Sequence, residues 1–70
     1  MMTPKQEAYI AHLASKLGYD GSYGWTRAAS DVLGTMSPSK ISRKGLTVRE
    51  ASEVIDGLKQ RLAEEESALA

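Results

Sequence analysis

Residues 46–62 read LTVREASEVIDGLKQRL, and this stretch decides the fold. Thr47-Val48-Arg49-Glu50 is a capping box, in which a threonine and a glutamate three positions apart satisfy each other's free backbone N–H groups at a helix start. Leu46 precedes the cap and can staple to Ala51 at the fourth helical position. Apolar residues then follow at Val48, Ala51, Ile55, Leu58 and Leu62, alternating steps of three and four along one helix face. Leu69 continues the seam after an interruption at Glu65. The pattern predicts a helix over about 47–66, with nothing after Gly57 to break it before the late sixties.

The N-terminus repeats the same chemistry. Thr3 caps, Pro4 fits the first helical position and Gln6 completes a second box. Tyr9, Ile10, Leu13, Ala14 and Leu17 form one apolar face, while Lys5, His12 and Lys16 fall opposite. Gly18 is placed as a left-handed C-cap, so a helix is expected over about 4–17. After the glycine-rich segment 18–24, Trp25, Ala28, Ala29, Val32 and Leu33 repeat the helical spacing. Ser22 would cap and Gly34 would end a helix over about 23–33. Ser37-Pro38 has the chemistry to open a single further turn near 38–42, anchored by Ile41, and Ser39, Ser42 and Gly45 argue against more. The expected fold is all-α: one three-helix domain over 1–70, with an acidic C-terminal end from about 63 and Trp25 at the core's centre.

Composition narrows the rest. Of 70 residues 41% are apolar, nine of them alanine, leaving 20 large apolar side chains. A core that small supplies no more than about 3–5 kcal/mol. Without cysteine there is neither a disulfide framework nor a thiolate metal site. No run approaches the ~20 apolar residues of a membrane span, and the N-terminus lacks a signal-peptide layout. A cytoplasmic protein without a membrane partner is expected, in the host cytoplasm if phage-encoded.

Enzymatic chemistry finds few candidates. His12 is the sole histidine and has no carboxylate three or four positions away. No serine sits in a Gly-x-Ser-x-Gly elbow, and Gly18, Gly21 and Gly24 match neither a P-loop nor a dinucleotide fingerprint. No enzyme, cofactor or metal is expected, and His12 is read as a surface residue.

Charge is balanced overall but unevenly placed. All nine basic residues lie in 1–62 against six acidic ones, a net +3, and Glu64, Glu65 and Glu66 offset it near the C-terminus. Lys40, Arg43 and Lys44 fall within five positions, and no acid lies between Asp31 and Glu50. That segment, a basic loop before the last helix, is the candidate nucleic-acid contact. Arg27 and Arg49, near helix starts, are candidate additions, and the mechanism is neutralisation of backbone phosphates. The competing reading is a protein-interaction module. Its anchors would be the Leu58, Leu62 and Leu69 seam, also suited to a homodimer, or the Tyr19 and Tyr23 surface. Tyr19 and Tyr23 are expected to cover Trp25 with their hydroxyls in water, base stacking being the other use of such residues.

The two boxed segments resemble known sequences. Thr3, Gln6, Tyr9, Ile10 and Leu13, with Leu46-Thr47, Glu50-Ala51-Ser52, Ile55-Asp56 and Leu58, are similar to a signature of short actinobacterial and actinobacteriophage proteins of unknown function. More loosely, they resemble the GemA regulatory protein of Mu-like phages and the small helical tails of some phage recombination proteins. The likeness covers about two-thirds of the chain and implies a phage or bacterial accessory factor near DNA metabolism, with no catalytic residues to carry over. Within the signature, Glu50 closes the capping box and Asp56 is placed to pair with Lys59. Ser42-Arg43-Lys44-Gly45 also resembles the basic turn with which H-NS-like actinobacterial nucleoid proteins enter the minor groove, although it has one arginine and one lysine where two arginines flanking glycine belong.

Overall fold

Both capping boxes close, and their mutual contact sets the fold's frame. The Thr3 backbone N–H donates to Gln6 Oε1 at 3.0 Å and the Gln6 N–H returns to Thr3 Oγ1 at 3.1 Å. Thr47 and Glu50 do the same at 2.9 and 3.1 Å. The Met2 N–H then donates to the Leu46 carbonyl at 2.7 Å, and Gln6 Nε2 to the Val48 carbonyl at 3.3 Å. The two helix starts therefore lie side by side, although more than forty residues separate them in sequence.

The structure, a computed structural model, describes residues 1–19, 21, 24–34 and 36–69, with Leu69 placed by its backbone alone. Four helices follow in order: α1 (Pro4–Lys16), α2 (Gly24–Leu33), α3 (Pro38–Lys44) and α4 (Val48–Leu69). Among the described residues there is no strand. Helix α1 packs on α2 and α4, α2 touches all three others, and α3 rests on α2. At 1.5 Å per residue the 22 residues of α4 span about 33 Å and set most of the 38 Å long axis.

α1 ends as its sequence predicts. Gly18 has φ 94°, the Tyr19 N–H reaches the Ala14 carbonyl and the Gly18 N–H the Ser15 carbonyl, which is the Schellman pattern. The expected cap Ser22 lies outside the described residues. The three-helix expectation needs a correction at 38–44, where a full helix replaces the single turn. Ser37 Oγ accepts from the Lys40 N–H at 3.3 Å and Ile41 is fully buried. Arg43 and Lys44 then sit in the last turn, where cations complement the helix dipole. Gly45 closes it, donating to the Ile41 carbonyl at 2.7 Å. These contributions outweigh the small helix penalties of Ser39 and Ser42.

The core is built from Ile10, Leu13 and Ala14 of α1, Ala28 and Ala29 of α2, Ile41, Leu46, and Ala51, Val54 and Leu58 of α4. Trp25 is not its centre. The buried positions of α2 are taken by the small residues Gly24, Thr26, Ala28 and Ala29, and the indole falls on a different side of the helix. Trp25 packs half-buried at the rim. The apolar seam of α4 is also rotated from expectation. Val54 is fully buried, Ile55 lies at the edge and Val48 is 50% exposed, because α4 meets α1 on one side and α2 on the other. Beyond Leu62, residues 63–68 are all exposed and carry the three glutamates.

Candidate functional site

The basic cluster sits on a helix rather than in a loop. Lys40, Arg43 and Lys44 are exposed on α3, whose one buried residue is Ile41. Arg43 stands two positions on, about 200° around the helix from Ile41, so it points away from the core. Lys40 and Lys44 flank it on one side and line a shallow depression with it and Ser37. On the other side Pro38, Ser39 and Ser42 form one wall of a groove that Arg27 of α2 completes, again with Arg43 on its rim. Arg43 is shared by both. The likeness of 42–45 to a minor-groove turn does not carry over to this conformation: Arg43 and Lys44 are the last helical turn, and only Gly45 leaves it, at φ 74°.

The remaining expected residues are dispersed. Arg49 is exposed in the first turn of α4, and from that turn it is Glu50 that joins Lys40 and Lys44 around a depression with Met1, Met36 and Leu46. Leu58 is fully buried and belongs to the core, which removes it from any partner surface. Leu62 is half-buried against that core. The Leu69 side chain and Tyr23 lie outside the described residues. His12 is exposed on α1. Lys59, expected to pair with Asp56, has its Nζ 5.2 Å from the ring centre of Tyr9.

Tyr19 is used for structure. Its hydroxyl donates to Asp31 Oδ2, and Arg61 Nη2 donates to the Asp31 carbonyl at 3.3 Å. The hydrogen bond to Asp31, with burial and the aspartate's charge added, holds the phenol above its usual value of 10.0, and Arg61 works against this. This group ties the α1–α2 connection, α2 and α4 together. Sequence reading missed it because its members lie 12 and 30 residues apart.

Among the described residues no three His, Cys, Asp or Glu side chains gather as a metal site would require, and no helix is long and apolar enough to cross a membrane. Compared with protein-family models, curated proteins and solved structures, the chain finds no match.

Proposed function

We propose that the chain is a small, non-enzymatic accessory protein of phage type that associates with DNA through α3. One observation carries this reading: Lys40, Arg43 and Lys44 share the solvent side of one short helix, and the depression they line with Ser37 contains no carboxylate. Three cations on a rigid element can each neutralise a phosphate, while a helix only two turns long offers few side chains for base edges. Binding is therefore sequence-tolerant, modest in affinity and strongly salt-dependent. The likeness of the two capped segments to phage accessory proteins points the same way, and the reading carries with it a cytoplasmic site of action. Capture of a host protein, or a homodimer, through the α4 seam is the weaker reading, since Leu58 is committed to the core.

The test is fluorescence anisotropy of a labelled duplex and a matching single strand, at low and moderate salt, with Arg43→Glu/Lys44→Glu alongside. Salt-sensitive binding lost in the variant supports the proposal. No binding at high micromolar protein in low salt ends it and turns the search to host-protein partners.

A further inference from the structure

The groove between α2 and α3 combines features that a merely basic surface lacks. It is an open groove of about 400 Å³ lined by Arg27, Pro38, Ser39, Ser42 and Arg43. Two arginines thus line it from different helices, together with two serines of α3 and no carboxylate. Arg27, Ser39, Ser42 and Arg43 are all exposed, and among the described residues none of their side chains is held in a hydrogen bond. Arg61, by contrast, is already engaged with Asp31. Helix α3 rests on α2, so both arginines rise from helices packed on each other. Guanidinium is the cation suited to this position, because its planar fork offers parallel N–H donors to two oxygens of one tetrahedral anion. A lysine offers only a point charge.

We propose that this groove is a phosphate clamp: Arg27 and Arg43 grip one phosphodiester of the DNA backbone from opposite walls, with Ser39 and Ser42 donating to the same group. The proposal rests on the DNA reading above, which makes the occupant a backbone phosphate, and it adds a division of labour. Lys40 and Lys44 supply diffuse attraction on the other flank of α3. The clamp fixes the register of the strand against the helix.

Swapping the two kinds of cation separates these roles, because charge is kept and only geometry changes. Duplex affinity is measured by anisotropy across a salt series for Arg27→Lys, Arg43→Lys, Lys40→Arg and Lys44→Arg, with circular dichroism confirming that each folds. Arg27→Lys and Arg43→Lys should each weaken binding by about fivefold or more with the salt dependence kept, while the lysine-to-arginine changes stay within about twofold. Arg27→Gln should lower the slope of log K against log salt by about 0.9, one phosphate contact. In nuclear magnetic resonance, the Nε–H signals of Arg27 and Arg43 should move together as the duplex is added. Arginine-to-lysine changes without effect, beside charge reversals that abolish binding, would overturn the clamp and leave DNA association standing. Absence of salt-sensitive binding by the unmodified chain overturns both.

Discussion

A Cβ placed on Gly57 would stand 2.5 Å from Val32 Cγ1, so α4 has a glycine where Val32 of α2 leaves no room for a side chain. Two opposing effects meet at this position. Glycine inside a helix costs about 1 kcal/mol relative to alanine. Overfilling a packed contact costs about 1–3 kcal/mol. The contact is short enough for the second to win, so Gly57→Ala should destabilise by about 1 kcal/mol and lower Tm by about 4–8 °C. Thermal melts of Gly57→Ala, Val32→Ala and the double variant check this. The double variant should be more stable than the sum of the singles predicts, because Val32→Ala removes the atoms that clash. A Gly57→Ala protein more stable than its parent would mean that the helices separate freely.

Thr47 is exposed, yet its hydroxyl holds the Glu50 N–H at the start of the longest helix. Thr47→Ala should cost about 1 kcal/mol, as loss of an N-cap does, and Thr47→Ser should restore most of it. Urea titrations followed by circular dichroism measure both. Against a total of about 3–5 kcal/mol, such a loss is a large fraction. Equal stability of the alanine and serine variants would show that Met2, Leu46 and Gln6 hold this corner without the cap.

Much of this architecture is legible in local sequence because its signals are short-range. Thr3 and Gln6, Thr47 and Glu50, and Gly18 are each read within a few residues, and each behaves as read. What the sequence hides is rotation and proximity. Val54 and Val48 are equally apolar, and only the arrangement of α1 and α2 around α4 decides that the first is buried and the second exposed. Trp25 is the largest apolar residue, yet alanines face the core of α2 and leave the indole at the edge. In the candidate site, Lys40, Arg43 and Lys44 stand out by adjacency. That Arg27 shares a groove with Arg43, while Arg49 does not join that groove, depends on how α3 rests on α2. The Tyr19, Asp31 and Arg61 group has no local signature at all.

That group makes a prediction about alkaline pH. The Tyr19 phenol is held above its usual 10.0, chiefly because it donates to Asp31, so the folded chain favours the protonated form. Its contribution is complete below the unfolded value of about 10 and is lost as pH rises through the higher folded value. Tyrosinate absorbance during a pH titration should show a phenol titrating above 10 that disappears in Tyr19→Phe. Tyr19→Phe should cost about 0.5–1 kcal/mol at neutral pH, the lower end for a hydrogen bond near solvent, and should flatten the stability loss above pH 10. Tyrosines that all titrate together near 10 would show that the bond to Asp31 does not persist in solution.

Leu58 and Leu62 lie one turn apart on α4 and should respond very differently to truncation. Leu58 is fully buried among the side chains of the core, so Leu58→Ala leaves a cavity and should cost about 2–5 kcal/mol. A chain this small holds about 3–5 kcal/mol in total, so the variant should lose most of its helical circular dichroism near physiological temperature. Leu62 is only half-buried, just before the exposed residues 63–68, and Leu62→Ser should cost about 1 kcal/mol and leave the fold intact. Sedimentation of the Leu62→Ser variant beside the parent then tests the end of α4 as a contact between copies, since the variant remains folded. A Leu58→Ala protein that stays folded and changes only its association state would place Leu58 on a partner surface and overturn its assignment to the core.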